Sequence, residues 1–402
     1  MMTKASFRDI GMGTKVVWAG EKEQLVHRAT QVPVVVSVAY GYDDMDEWYD
    51  VSVGKKPGHI YGRNTNPTVR AFEDKVRALE GAEAATSFAT GMAAISNTLY
   101  TFLRPGDRVV TIKDTYGGTN KIFTEFLPRL NIDVAFCDTG NHAEIEAEIK
   151  KGCKLLYLET PTNPTVKITD IARMSKAGKA VGAIVVVDNT FATPVCQNPL
   201  ALGADLVLHS ATKFLGGHAD VLGGVVCGNK EFVEQIFHYR EINGATLAPW
   251  EAYLLLRGMK TLKLRVLKQT ENAAALARFL EKQELVEAVY YPGLPTHVHH
   301  DVAKKQMSAF GGMLSFALKG GMDSVKILLP RLKYANLAAN LGAVETTYGP
   351  ARTTSHVECT PEERRAMGIP DGLVRISAGI EEAEDLIADL EEAFACLKKH
   401  IK

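Results

Sequence analysis

A lysine follows one of the most apolar segments of the chain, and its position suggests covalent chemistry. Residues 206–208 are Leu-Val-Leu, and His209-Ser210-Ala211-Thr212-Lys213 follow them directly. Desolvation of an ammonium group is costly unless the group is paired or loses its proton. The neutral amine is the form that makes Schiff bases with carbonyl groups. Lys213 is therefore a candidate nucleophile, although an ordinary surface lysine fits this segment alone equally well.

Other polar residues follow other β-branched segments. Asp188 comes directly after residues 183–187, where a buried carboxylate could keep a pyridine nitrogen protonated. An aspartate that caps a helix is the alternative. Asn163 lies in a loop with two prolines and could donate to a phenolic oxygen, or could simply be a turn residue. Tyr116 precedes two glycines and could stack on a flat ring, although tyrosine is also common in turns.

Small and hydroxyl residues complete a possible cofactor site. Thr90-Gly91-Met92 begins a helical pattern, and free N–H groups at a helix start bind phosphate. Ser210 and Thr212 could add their hydroxyls. The set comprises a Schiff-base amine, a partner for a ring nitrogen, a ring platform and a phosphate cradle, which is typical of a pyridoxal phosphate (PLP) site. We find no G-x-G-x-x-G motif after a strand and no P-loop, which disfavours a nicotinamide cofactor.

The segments that would position these residues alternate between helical and β patterns. The β-branched runs are residues 108–112, 134–137, 154–158, 183–187, 206–208 and 224–227. Several are apolar on both faces, which predicts an α/β fold with a mostly parallel sheet and helices on each side. Ligands bind beyond the carboxyl ends of such strands. We also predict a helix over residues 69–81, a long helical segment over 249–283, and C-terminal strands at 312–317 and 373–377.

Composition excludes several classes of partner. The 402 residues are 46% hydrophobic and 23% charged, with a formal net charge of −1. This balance gives no electrostatic reason to expect nucleic acid or an anionic membrane as a partner. We expect no signal peptide and no membrane span. The six cysteines lack metal-type spacing, and the histidines at 297–300 fit a loop before a helix, so we expect no metal and a cytoplasmic protein with reduced thiols.

The N-terminal region has a different character. Residues 1–60 lack clear periodicity, and residues 40–50 are acidic and aromatic. We therefore predict an arm that lies on another subunit. The predicted organisation is an arm at residues 1–62, a cofactor-binding domain at 63–258 and a C-terminal domain at 259–402.

Seven motifs give the chain a family resemblance that covers nearly its whole length from about residue 30. They are Tyr61-Gly62-Arg63 with Asn66-Pro67-Thr68, Thr90-Gly91-Met92-Ala93-Ala94, Glu159-Thr160-Pro161-Thr162-Asn163-Pro164, Val187-Asp188-Asn189-Thr190, His209-Ser210-Ala211-Thr212-Lys213, Leu256-Arg257-Gly258-Met259-Lys260-Thr261-Leu262 and Leu373-Val374-Arg375-Ile376-Ser377 with Ala378-Gly379-Ile380-Glu381. The chain resembles the Cys/Met-metabolism, or trans-sulfuration, family of PLP enzymes. The resemblance implies the fold-type I, aspartate-aminotransferase-like architecture and a homotetramer of two active dimers.

The resemblance also implies roles for individual residues. Lys213 would hold PLP and then move protons on the substrate, with Tyr116 on the ring and as a candidate acid. Arg375 would bind the substrate carboxylate through two parallel hydrogen bonds, which lysine cannot reproduce. The remaining implied cofactor contacts are Asp188, Gly91, Met92, Ser210, Thr212, Asn163 and Thr190, with Tyr61 and Arg63 reaching the neighbouring subunit's phosphate. The implied substrate contacts besides Arg375 are Asn163, Glu345 and Arg352.

The implied reaction acts at Cγ of a small amino acid. Our leading expectation is γ-replacement on an activated homoserine or homocysteine derivative, similar to cystathionine γ-synthase. The alternatives are γ-elimination by a cystathionine or methionine γ-lyase, a specialised γ-substituting enzyme of secondary metabolism, and a non-catalytic PLP-fold binding protein.

The departures from the family pattern lie near the substrate. Glu345 stands where sulfhydrylases usually carry lysine, which favours the synthase or lyase members. Gly118 stands where methionine γ-lyases have cysteine. The spacing around Pro350-Ala351 is shifted by one residue, and Arg352 is unusual. These departures indicate that the substrate differs from the usual ones.

Overall fold

A computed structural model describes residues 10–357 and 359–400. The first nine residues of the predicted arm lie outside this range. Two β-sheets organise the described part of the chain, one of seven strands and one of five.

The larger sheet has the strand order β1-β7-β6-β5-β4-β2-β3 within the described residues. Its strands are β1 (Ala84–Phe88), β2 (Arg108–Ile112), β3 (Asp133–Cys137), β4 (Leu155–Glu159), β5 (Ile184–Asp188), β6 (Leu206–Ser210) and β7 (Gly224–Gly228). The smaller sheet has the order β10-β11-β12-β9-β8. Its strands are β8 (Val286–Tyr290), β9 (Met313–Leu318), β10 (Asn336–Leu337), β11 (Thr347–Pro350) and β12 (Leu373–Ser377).

Only β7 runs against the other strands of the larger sheet in the described chain. It pairs antiparallel with both β1 and β6, so β1 and β6 point the same way. The neighbouring pairs from β6 to β3 are parallel. The predicted mostly parallel α/β fold is confirmed. The carboxyl ends of six strands therefore meet at one edge, together with the start of β7.

Alternate residues of the central strands pack on opposite faces of the larger sheet. In β4, Leu155 and Tyr157 belong to one apolar cluster, whereas Leu156 and Leu158 belong to another. All four are completely buried. Burial on both faces leaves the strand ends as the place where polar side chains can reach a ligand.

Helices cover both sheets. They are α1 (Met12–Trp18), α2 (Met45–Ser52), α3 (Pro67–Glu80), α4 (Gly91–Phe102), α5 (Gly117–Lys121), α6 (Leu127–Arg129), α7 (His142–Lys150), α8 (Ile171–Ala180), α9 (Thr193–Cys196), α10 (Lys230–Asn243), α11 (Pro249–Met259), α12 (Leu262–Leu280), α13 (His300–Gln306), α14 (Gly321–Leu328), α15 (Pro361–Ala366) and α16 (Ala383–His400). A π-helical turn, Ile122–Phe126, joins α5 to α6.

The sequence signals at the ends of α3 act as expected. The Asn66 side chain accepts from the N–H groups of Thr68 and Val69, and Pro67 occupies the first turn. Gly81 ends the helix with φ of 71°, in the left-handed region that glycine adopts without strain. The helix over residues 69–81 is thus confirmed within two residues.

Three predictions about local structure were wrong. The irregular N-terminal region contains α1 and α2, and Asp44 caps α2 by accepting from two N–H groups. Strand β1 was missed because its Ala-Ala-Thr-Ser-Phe sequence carries little β-branched signal. The helical segment over residues 249–283 is two helices, since the chain turns between Met259 and Leu262.

The first part of the predicted arm is held against α3 of the same chain by a buried ion pair. Lys75 is completely buried, and its Nζ donates to Glu21 Oε1 at 2.6 Å and to the Val16 carbonyl at 2.7 Å. Glu21 Oε2 also lies 2.9 Å from Lys260 Nζ. Burial lowers the pKa of Lys75, and the Glu21 carboxylate opposes that shift.

None of the described helices is both long and apolar enough to cross a membrane.

We predict that Glu21→Gln destabilises the protein by about 3 kcal/mol, because it leaves a buried ammonium without its anion. The measurement is the free energy of unfolding from denaturant titration, supported by the melting temperature. Glu23→Gln is the matched control, since Glu23 is exposed two residues away. Equal losses in the two variants would contradict the assignment of Lys75 and Glu21 as a stabilising pair.

Candidate active site

A cavity of about 260 Å³ lies at the edge where the parallel strands end. It is lined from Thr90 to Met92 after β1, by Tyr116 after β2, by Asn163 after β4 and by Asp188 at the end of β5. The predicted residues after β6 line it as well, namely Ser210, Thr212 and Lys213. The fold therefore brings together side chains that are more than a hundred residues apart in sequence.

Lys213 enters this cavity half-buried. Its Nζ donates to the side-chain oxygen of Asn340 at 3.0 Å. Burial lowers the pKa of Lys213 to about 8, and the positive charge of Arg375 adds to the shift. At neutral pH roughly a tenth of such an amine is unprotonated, far more than for an ordinary lysine. The amine is thus prepared for attack on a carbonyl group.

Asp188 is held rigidly at the tip of β5. Its Oδ1 accepts from the N–H of Thr190 at 3.0 Å and from the Thr190 hydroxyl at 2.6 Å. The Thr190 hydroxyl oxygen in turn accepts from the Ser210 N–H. Burial raises the pKa of Asp188. Oδ2 has only a long contact of 3.5 Å with the Tyr157 hydroxyl, so this oxygen has the capacity for a protonated ring nitrogen.

The start of α4 forms a cradle that fits a phosphate group. The Thr90 hydroxyl accepts from the Ala93 N–H, whereas the N–H groups of Gly91 and Met92 have no acceptor among the described residues. A Cβ at Gly91 would lie 2.7 Å from Ser210 Cβ, and one at Gly224 would lie 2.2 Å from the Thr90 carbonyl oxygen. Glycine at both places is therefore required for the helix start to approach the strands. Free N–H groups at a helix N-terminus are the donors that a phosphate dianion needs.

Arg375 lies in the interior of β12 and points from the smaller sheet into the same cavity. It is only 5% exposed, and burial lowers its pKa to about 10. Nη1 donates to Asn163 Oδ1 at 2.9 Å, and Nη2 donates to the Asn340 carbonyl at 3.2 Å. With its oxygen used by Arg375, the Asn163 side chain keeps its amide donors for a ligand.

Tyr116 stands between this cavity and a second one of about 580 Å³. Its side chain is 43% exposed. Thr354 and Ser355 also line both cavities, and Lys113 lines only the second. The two spaces therefore share one wall, formed by Tyr116 and the loop after β11.

Four of the residues expected at the site do not line the cavity in this chain. Arg352 lies at the surface in the short 3₁₀ turn Ala351–Thr353, with Nη1 3.8 Å from Asp371 Oδ1. Glu345 lies in the loop between β10 and β11 but is absent from the cavity wall. Tyr61 and Arg63 stack on each other at 5.2 Å on the exposed arm. The expectation that these two serve a neighbouring subunit stays a prediction.

Sequence reasoning missed two residues that contact the predicted ones. Asn340 touches both Lys213 and Arg375, and Glu159 accepts from the N–H groups of Tyr116 and Asn163. Glu159 lies at the end of a strand, as several other site residues do, so the same criterion would have identified it from the sequence. Asn340 lies in a loop without periodicity and offered none.

Comparisons with known proteins identify the family of the chain. The family model for the Cys/Met metabolism PLP-dependent enzymes matches residues 13–395. The chain is 45% identical over 385 residues to an L-methionine gamma-lyase of Fusobacterium nucleatum subsp. polymorphum, covering 95% of this chain and 97% of that protein. It is 46% identical over 353 residues to the cystathionine gamma-lyase of Bacillus subtilis, covering 86% and 92%.

A solved structure shows the same overall fold. The cystathionine gamma synthase of Xanthomonas oryzae pv. oryzae superposes with a TM-score of 0.92 at 37% identity, covering 97% of this chain and 99% of that one. These relatives are lyases and synthases, and all resemble the chain along nearly its full length. The chain therefore belongs to the Cys/Met metabolism family of PLP-dependent enzymes.

Proposed function

We propose that this enzyme catalyses γ-elimination from an amino acid with a small, uncharged thioether side chain. The observation that carries the proposal is the part of the cavity wall left after the residues assigned to the cofactor and the substrate carboxylate. Five of the remaining residues are uncharged, namely Leu222, Ala339, Leu341, Thr354 and Ser355. Such a wall suits a thioether better than a terminal carboxylate, because an unpaired charge there would lose its hydration.

The relatives support the same choice. Besides the Fusobacterium protein, an L-methionine gamma-lyase of Treponema denticola is 40% identical over 402 residues. One residue opposes this choice, because Gly118 stands where methionine γ-lyases have cysteine. A Cβ at Gly118 would lie 2.9 Å from both the Met92 sulfur and the Tyr116 ring. A larger side chain at this position would therefore have to displace Tyr116 or Met92.

The residues of the cavity divide the work of the reaction. When bound, PLP supplies an electron sink that stabilises negative charge at the substrate carbons. Lys213 would hold the cofactor through its side-chain amine and would carry protons between Cα and Cβ of the substrate. Arg375 binds the α-carboxylate and so fixes which bonds face Lys213. Asp188 keeps the ring nitrogen protonated by charge pairing.

The remaining predicted residues hold the cofactor. Gly91 and Met92 offer N–H groups and Ser210 and Thr212 offer hydroxyls to the phosphate. Thr190 orients Asp188. Asn163 would donate to the ring oxygen, and Tyr116 would cover the ring and give a proton to the leaving group. These assignments rest on the positions of the side chains in the cavity wall.

A homotetramer of two active dimers remains our proposal for the assembly, with residues 1–62, 63–258 and 259–402 as arm and domains. The exposed apolar side chains of the arm support it. Val36 is 74% exposed, Met45 80% and Tyr49 60%. Large apolar side chains exposed in this way are typical of an interface, and an arm bound there would carry Tyr61 and Arg63 to the neighbour's phosphate.

A second candidate is γ-replacement on an acylated homoserine. The neighbouring cavity favours it, because Lys113 lines that space, together with Lys121 and the carboxylates of Glu125 and Glu363. An acyl group that ends in a carboxylate would reach it past Tyr116. The structural similarity to a cystathionine gamma synthase supports this alternative.

The substrate preference separates the two candidates. We predict that methionine or a related uncharged thioether is converted without any added thiol to an α-keto acid, ammonia and a thiol. Keto acid and ammonia are measured for each amino acid, with and without cysteine as a second substrate. Turnover only of acylated homoserines, with a thioether product that requires cysteine, would refute elimination and favour replacement.

The lowered pKa of Lys213 predicts how the cofactor attaches. With a pKa of about 8, the neutral amine increases as the pH rises through that value. The rate at which cofactor-stripped protein regains its visible absorbance on addition of PLP should therefore rise with a midpoint near pH 8 and then level off. Lys213→Ala should give no covalent absorbance band and lose activity by at least about 1,000-fold. A recovery rate that still increases at pH 10 would show that Lys213 has the pKa of an ordinary lysine.

We predict that Arg375→Lys raises KM about 100-fold and lowers kcat less, because lysine cannot make two parallel hydrogen bonds to a carboxylate. Steady-state kinetics with the preferred substrate provide the measurement. Arg352→Ala is the comparison, since the structure places that guanidinium at the surface. A similar rise in KM for Arg352→Ala would show that the loop after β11 moves Arg352 to the substrate.

A further inference from the structure

Glu159 is a buried carboxylate in the cavity wall to which the proposed reaction assigns no role. It lies at the end of β4, is 5% exposed and lines the cavity. Oε2 accepts from the Tyr116 N–H at 2.8 Å, and Oε1 accepts from the Asn163 N–H at 3.3 Å. One side chain thus joins the loop after β2 to the loop after β4.

The two loops carry different parts of the site. Tyr116 lies between the two cavities, and Asn163 accepts from the Arg375 guanidinium at 2.9 Å. Strands β2 and β4 are parallel neighbours, so their loops emerge side by side at the same edge. Glu159 completes a chain of contacts from Tyr116 through Asn163 to Arg375.

Burial of the Glu159 carboxylate at this position costs free energy. It is the register partner of Asp188 on β5, so two buried acidic side chains lie on neighbouring strands. Within the described residues, Glu159 has no cationic side chain within ion-pair distance. Burial and the Asp188 carboxylate raise the pKa of Glu159 well above its usual value, and the two backbone N–H groups oppose that shift. A purely apolar side chain would avoid this cost but would leave both N–H groups without an acceptor.

We propose that Glu159 is a positioning residue that holds Tyr116 and Asn163 at a fixed separation, so that the ring platform and the substrate-carboxylate clamp act as one unit. It does so through its two carboxylate oxygens and touches no reacting atom itself. The role is independent of whether the leaving group is a thiol or an acyl group.

The decisive variants are Glu159→Gln and Glu159→Asp, examined as the PLP-loaded enzyme. Glutamine has the same shape, but its NH₂ group would face one of the two N–H donors, so one contact is lost. Aspartate keeps the charge but is one methylene too short to reach both loops. Glu146→Gln is the matched control, since Glu146 pairs with Arg173 at the surface, far from the cavity wall.

We expect Glu159→Gln to lower kcat/KM about 10- to 100-fold, the effect of losing one hydrogen bond to a charged group. KM should rise as well as kcat fall, because Arg375 loses its alignment through Asn163. The visible circular dichroism of the bound cofactor should change, since Tyr116 is released. The assay uses whichever γ-substituted amino acid the wild-type enzyme converts, so failure of the thioether proposal does not affect it.

Wild-type kinetics and cofactor dichroism, each within about twofold in a folded Glu159→Gln enzyme, would overturn the proposal. A loss of melting temperature with kinetics unchanged would overturn it too, by showing that the contacts serve stability alone. If Glu159→Gln does not fold, Glu159→Asp decides by the same two measurements. Glu146→Gln should match the wild type in all of them.

Discussion

The site depends on one constraint. When helices cover both faces of a parallel sheet, polar side chains can reach a ligand only at the edge where the strands end. In β4 and β5 every residue is buried, and the side chains alternate between two apolar clusters. A charged group can be placed there only at the end of a strand, as Glu159 and Asp188 are. The loops that follow these strands lie next to one another because of the strand order alone.

The basic and acidic groups at this edge are explained by a single ligand that contacts all of them. Lys213 and Arg375 supply two basic groups, and Asp188 and Glu159 supply two buried carboxyl groups, none of which forms a direct ion pair with another in the described structure. Their partners are instead amide groups, such as those of Asn163 and Asn340. Uncharged hydrogen-bond partners hold these side chains in place without neutralising them. Each side chain therefore stays available to a ligand that has both positive and negative groups. PLP with an amino-acid substrate is such a ligand.

The sequence predicts the parts of this arrangement that follow from periodicity and turn chemistry. Strand β2 is located to the residue, and Lys213 and Asp188 are found because they end apolar runs. It does not predict contacts that depend on how two loops meet. Asn340 is not predicted because it follows a strand of only two residues, and the exposed position of Arg352 is not predicted because periodicity does not describe the 3₁₀ turn after β11. Helix α2 is missed because only Val51 of its residues is buried, although Asp44 caps its first turn.

The reversed direction of β7 has a consequence for how this enzyme can diversify. Because β7 starts where the other strands end, Gly224 lies directly under the phosphate cradle, and neither it nor Gly91 tolerates a larger residue. Ala339, Leu341 and Thr354 line the same cavity from the segments that follow β10 and β11. Cofactor binding and side-chain recognition are thus encoded by separate parts of the chain. Laboratory evolution can vary the second set in combinatorial libraries while the first remains constant.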